Sequence, residues 1–222
     1  MQIDLVPILL SLKVALASII IVMITCVPIS NLLAKHNFWG KNILESILTL
    51  PLIMPPSVIG FMLLYLFGKN GPLGIFLQSV FHIHVVFTLV GAIIAASVVS
   101  FPLMYQSLKA AIESVDKTLE NAARTLGAKE LRVFFTITLP LAWNGFIAGV
   151  VLAFARSLGE FGATLMIAGN IPGKTQMMPL AIYFDTYAGN TKQANFLVLI
   201  MTIFSFLVIF GLNIWRKRGI ER

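Results

Sequence analysis

The sequence predicts an all-α integral membrane protein with five transmembrane helices, and three observations predict it. Of 222 residues, 58% are hydrophobic and 11% are charged, whereas about a quarter of a soluble domain is charged. Four runs, 14–34, 46–67, 85–108 and 196–215, contain no charged residue and are long enough to cross about 30 Å of hydrocarbon at about 1.5 Å per residue. A fifth run, 141–168, has the length but carries Arg156 and Glu160. The third observation is a charged, amphipathic stretch from Asp116 to Pro140 that interrupts these runs. We therefore expect one domain, 1–222, with residues 109–140 as an excursion from the membrane.

The first span follows Asp4 and is too long for the apolar core of a signal peptide, so it reads as retained. Cys26 lies alone within it and supports neither a disulfide nor a zinc site. The second span holds Pro51, Pro55 and Pro56. Each removes an amide donor and restricts the residue before it, which predicts a kinked or broken helix. Such a break survives in a membrane where protein or a water-filled cavity satisfies the freed carbonyls, so this span is expected to face the bundle interior.

The connection 68–84 opens with turn residues and ends with His82 and His84. Two histidines without further ligands read as an interfacial loop feature, because a metal site needs more donors. His36 is expected across the membrane. The third span, 85–108, leads into the charged excursion. There Leu119, Ala122, Ala123 and Leu126 fall at i, i+3, i+4 and i+7, the spacing of one face of a short helix. Asp116 is placed to cap it and Gly127 to end it. Glu120 and Arg124, four apart, either pair along the helix surface or engage a partner.

In the fourth span, Arg156 and Glu160 also stand four apart. A charge at mid-membrane costs about 2.5–3.5 kcal/mol on translocon scales, so each must be paired or face water. In a continuous helix, Ser157 and Thr164 extend the same face with hydroxyls. The set forms either the polar wall of a pathway or a buried structural salt bridge. Glycines 149, 159, 162 and 169 are expected to permit close helix approach. Segment 169–193 begins with the turn GNIPGK and has the length for one short re-entrant or interfacial helix before the fifth span, 196–215.

Basic residues set the expected orientation. Lys35 and Lys41, five in the third connection and four after the last span place eleven of sixteen on one side, which the positive-inside rule makes cytoplasmic. The N-terminus is then outside and the C-terminus inside. The formal charge of +7 is explained by anchoring next to anionic lipid rather than by nucleic acid. The chain has no Gly-x4-Gly-Lys-Ser/Thr loop, no histidine partnered with a nucleophile and no carboxylate cluster. It does not read as an enzyme, and any ATP hydrolysis must come from another chain.

The spacing Ala122-Ala123, three residues, Gly127, nine residues, Ile137-x-Leu139-Pro140 resembles the coupling-loop signature of ABC importer permeases. Asn121 stands where that signature has its glutamate, and the acid sits one residue earlier at Glu120. The stretches RTLGA (124–128), RVFFTITLPL (132–141), LAFARSLGEFGAT (152–164) and GNIPG (169–173) are similar to molybdate permease subunits. The resemblance implies the type I ABC importer permease fold in a bacterial inner membrane, with two copies facing each other. It also implies a cytoplasmic ATPase carrying ATP and Mg²⁺, a periplasmic molybdate-binding protein, and no cofactor on this chain.

On this reading Asp116, Leu119, Glu120, Ala122, Ala123, Arg124, Leu126 and Gly127 form the ATPase-coupling site. Arg156, Ser157, Glu160, Thr164, Pro55 and Pro56 belong to the translocation path. Sulfate, thiosulfate and tungstate permeases share much of the pattern. A stand-alone secondary transporter or channel is the reading from another class. It predicts inverted repeats with paired broken helices, whereas the sequence offers a proline-broken helix in one half only.

Overall fold

A computed structural model describes residues 3–220, with side chains described as far as Ile214. The basic residues Arg216, Lys217, Arg218 and Arg222, which enter the orientation argument, lie outside the described side chains. All regular structure among the described residues is helical.

Three helices are long and apolar enough to cross a membrane alone: α1 (Val6–Lys35), α5 (Leu89–Glu113) and α12 (Thr191–Ile220). The count reaches five when each of two bent pairs is taken as one crossing. The first pair is α2 (Lys41–Ile53) and α3 (Pro56–Phe67), bent by 117°. Met54 and Pro55 have ψ of 140° and 133°, the extended backbone that a following proline enforces. The expected span 46–67 is therefore two helices, while Pro51 is carried inside α2.

The expected span 141–168 is also divided. Helix α9 (Trp143–Leu158) ends at Gly159, and α10 (Gly162–Ala168) starts three residues later. Two glycines within four residues weaken the helix by about 1 kcal/mol each, and the carboxylate of Glu160 turns back to accept the N–H of Ala163 at 2.8 Å. A second break, made without proline, thus lies in the other half of the chain, opposite the proline-broken helix expected in the first. The second bent pair lies further upstream, where residues 130–141 meet α9 at 75°.

Helix α5 is the hub, packed against α1, α9, α10 and α2. Its small residues Ala92, Ala95 and Ala96, with Val99, join Val14, Ile59, Ala163 and Ile167 in one core. Towards its other end Met104, Tyr105 and Leu108 pack with Leu33 and Ala153 in a second. Small residues let helices approach in lipid, where van der Waals packing holds them together. Gly60 is one such approach: a Cβ there would lie 2.7 Å from the Cβ of Met166 and 2.8 Å from the Cα of Ala163. Of the glycines expected at close approaches, 149 meets α5 and 162 meets α3, while 169 takes positive φ at a turn.

Two short helices fill the connections on the side opposite the 116–140 excursion. The first, α4 (Pro72–Phe81), is closed by His82 in the left-handed region at φ 55°. The second, α11 (Met178–Tyr187), is fixed to α1 where the N–H of Met178 donates to Ser11 Oγ at 2.8 Å. Gln193 and the backbone of Asp4 exchange two hydrogen bonds, of 3.1 and 2.7 Å, across the same end.

Candidate functional site: the 116–140 excursion and the paired helix breaks

The excursion is mostly helical. Helix α6 (Lys117–Thr125) is followed by α7 (Glu130–Val133), a π turn (Phe134–Thr138) and α8 (Leu139–Leu141). Asp116 caps α6 by accepting the N–H of Thr118 at 2.8 Å, and that bond holds its carboxyl below the usual range. Gly127, at φ 84°, closes the helix. Its N–H donates to Arg124 O, and that of Ala128 donates to Ala123 O, the pairing that satisfies the last carbonyls of a helix.

The face of α6 is divided in a way the spacing alone conceals. Leu119 is 48% exposed and Leu126 88%; Ala122 is exposed and Ala123 half-buried. The apolar positions therefore point away from the bundle. Glu120 is the one buried residue of α6, so it does not share their outward face. Its Oε1 lies 2.8 Å from Lys35 Nζ, at the end of α1, and accepts a 2.5 Å hydrogen bond from Thr138 Oγ1 in the π turn. Lys35 also donates to Thr138 Oγ1 at 3.0 Å.

Arg124 Nη2 reaches Glu120 Oε2 at 3.3 Å, and the same guanidinium grips Glu130 at 2.7 and 3.1 Å and Asn121 at 2.9 Å. The Glu120–Arg124 pair is thus part of a network and not an isolated helical pair. Burial works to raise the pKa of Glu120, but hydrogen bonds from Lys35 and Thr138, with Arg124 behind them, hold it below the ordinary glutamate range. The π turn ends two residues before Pro140. A proline has no N–H for the α-register bond and its ring crowds the carbonyl four residues back; the turn relieves this by a longer register in which Leu139 N–H donates to Phe134 O.

Sequence reasoning missed Lys35, Thr138 and Glu130. Lys35 is 103 residues from Thr138, and no periodicity links them. The available signal was the signature itself, whose variable position before Leu139-Pro140 is Thr138.

The second cluster sits at the α9–α10 break. Arg156 Nη1 lies 2.7 Å from Glu160 Oε2, with the arginine side chain 31% exposed and the glutamate 1%. Ser157 is buried and donates to Ala96 O at 3.4 Å. Thr164 is buried with its hydroxyl unpaired. Because the helix breaks between them, Thr164 does not continue the face of Arg156, contrary to the expectation from a continuous helix. Ser157, Glu160 and Thr164 are enclosed by this chain, and Arg156 is the member that reaches its surface. The break meets the one at Pro55: a Cβ on Gly162 would lie 3.1 Å from the Cβ of Pro56. Pro56 is half-buried there and Pro55 exposed.

A family model described as the inner membrane component of binding-protein-dependent transport systems matches residues 26–218. The chain is 43% identical over 214 residues to the molybdenum transport system permease protein ModB of Haemophilus influenzae, covering 96% of this chain and 93% of that one. It is 47% identical over 194 residues to ModB of Escherichia coli K12, covering 86% and 85%. A probable sulfate transport system permease of Chlorella vulgaris is 34% identical, covering 84% of this chain and 71% of that one. Among solved structures, the inward-facing MetNI methionine ABC transporter shares the fold with a TM-score of 0.71 at 16% identity, covering 96% and 94%. The chain belongs to the family of binding-protein-dependent transport system inner membrane components.

Proposed function

We propose that this chain is the permease subunit of an ATP-driven importer that carries molybdate across a bacterial inner membrane. The observation that carries the reading is its identity of 43% and 47% with molybdenum transport permeases over most of their length. A capped helix with Leu119, Ala122 and Leu126 turned outward supports it, because a groove on an ATPase needs such a face to receive. Two ATPase subunits need two docking helices, hence two copies of this chain around a central path. ATP and Mg²⁺ belong to the ATPase, and a periplasmic binding protein supplies most of the substrate discrimination. The N-terminus is periplasmic, and the excursion and C-terminus are cytoplasmic.

Closure of the ATPases on nucleotide moves α6 as a lever and switches the bundle from inward-open to outward-open. Along the path, Arg156 offers a positive charge to the oxyanion while Glu160 limits how tightly it holds. Ser157 and Thr164 support the pair, and Pro55 and Pro56 shape the facing break. A path must release what it admits, so sparse weak donors are adequate.

The test is ATP hydrolysis and radiolabelled molybdate uptake in proteoliposomes that hold this chain, its ATPase and the binding protein, with sulfate as competitor. Uptake that requires all three and resists excess sulfate supports the proposal. Competition at similar sulfate concentrations moves the substrate to sulfate or thiosulfate, a reading favoured by the 34% identity to the Chlorella protein; tungstate is tested in the same way. Uptake by this chain alone without ATP makes it a secondary transporter or channel.

A further inference from the structure

Glu120 is spaced to serve either a helix surface pair or a partner protein, and the structure uses it for neither alone. It is 6% exposed and its carboxylate joins three segments: the last residue of α1 through Lys35, the π turn through Thr138, and α6 itself through Arg124. No other residue of α6 is buried. Apart from this junction, α6 is held by the short connections at its ends and by the Arg124–Glu130 pair with the start of α7. A helix held only so pivots when pushed. A helix fastened at its inner face carries the helices behind it.

We propose that Lys35, Glu120 and Thr138 form a clasp through which displacement of α6 moves the bundle, with Glu120 as the positioning residue. The inference deepens the permease reading and rests on it. The parts are matched. Burying a carboxylate is costly unless it is paired and hydrogen-bonded, and Lys35 supplies the charge while Thr138 supplies the second donor to the same oxygen. Thr138 lies in the π turn ahead of Pro140, in the Ile137-x-Leu139-Pro140 stretch. The acid before Asn121 and the threonine eighteen residues later are thereby two ends of one joint. Lys35 ends a 30-residue helix that packs along α5 and α9, so a push on α6 reaches the core of the chain in one step.

The experiment compares wild type with Glu120→Ala, Lys35→Met and Thr138→Val in the reconstituted complex. Each is assayed for co-purification of the ATPase, ATP hydrolysis stimulated by the binding protein, and molybdate moved per ATP hydrolysed. The clasp predicts that in Lys35→Met and Thr138→Val the ATPase still binds and hydrolyses ATP while transport per ATP falls about fivefold or more, with transport per ATP in Glu120→Ala falling in the same direction. A merely structural role lowers yield without changing that ratio. Unchanged ratios in Lys35→Met and Thr138→Val, each of which removes two of the three contacts among these residues, overturn the clasp. Loss of ATPase binding in Glu120→Ala with the other two normal assigns Glu120 to docking instead. Failure of the permease reading is separable, because wild type itself then shows no ATP-dependent uptake.

Discussion

The chain carries two acid–arginine pairs at the same i, i+4 spacing, and they do opposite things. Glu120–Arg124 lies outside the spans, and its acid bonds residues 18 positions along and 85 positions back in sequence. Arg156–Glu160 lies within the apolar run 141–168, and its acid bonds only its own neighbourhood, Arg156 and the N–H of Ala163. The first pair joins separate elements; the second stabilises a break within one. Spacing on a helix states that two side chains can meet. What they do is decided by which other donors the fold brings, and by whether water is available when one is removed.

That contrast predicts its largest effect at the second pair. Arg156→Met leaves the enclosed Glu160 carboxylate without its counter-charge. Breaking a buried pair costs about 3–5 kcal/mol, and the partial exposure of Arg156 puts the expectation near the lower end. Thermal unfolding in detergent is the measurement, with Arg156→Met/Glu160→Gln expected to recover most of the loss. Equal destabilisation in single and double variants breaks the comparison. If Arg156→Met keeps both transport rate and oxyanion selectivity, the pair is structural and does not line the path.

A substitution at the end of α6 sharpens the other side. Gly127 has open space around its Cβ position and φ of 84°, so a valine there meets no clash but must take a left-handed backbone at a cost of about 1–2 kcal/mol. Gly127→Val is expected to insert in the membrane at normal levels and to lose ATP-driven uptake. Membrane yield and uptake are read together, and normal uptake rejects the helix end as part of the coupling device.

The sequence made some of this legible and not the rest, for physical reasons. Apolar run length marks α1, α5 and α12 because crossing hydrocarbon requires continuous apolar surface. Pro55-Pro56 marks the first break because proline acts on its own backbone. The second break depends on Glu160 choosing Ala163 N–H over a helical alternative, and two glycines inside an apolar run do not announce that choice. The caps Asp116 and Gly127 were readable because they act within three residues. The outward leucines and inward Glu120 were not separable, since the periodicity of α6 shows a polar and an apolar side without saying which faces the bundle.

Acidification tests the clasp with a smaller and local effect. The groups facing Glu120 are Lys35 from α1, Thr138 from the π turn and Arg124 from α6, with Glu130 beyond. Glu120 and Glu130 are both held below their ordinary value of 4.5 in the folded chain. A carboxylate depressed on folding contributes stability above its unfolded pKa and loses it as pH falls through the folded one. Amide exchange across residues 117–125, corrected for intrinsic rate, is therefore expected to be flat from pH 7 to about 5 and to rise only below 4.5. Loosening that starts near neutrality assigns the change to another group.

The smallest expected effect separates cap from clasp. Asp116 is exposed and its side chain bonds only the first turn, so Asp116→Ala is expected to fray residues 117 and 118 while leaving the later turns protected by Glu120. Exchange confined to the first turn, with molybdate moved per ATP unchanged, means that the inner grip on Lys35 and Thr138 holds α6 in place. Exchange spreading through Thr125 means that the cap and the clasp form one cooperative unit, and an exposed helix end then matters as much to the lever as its buried acid.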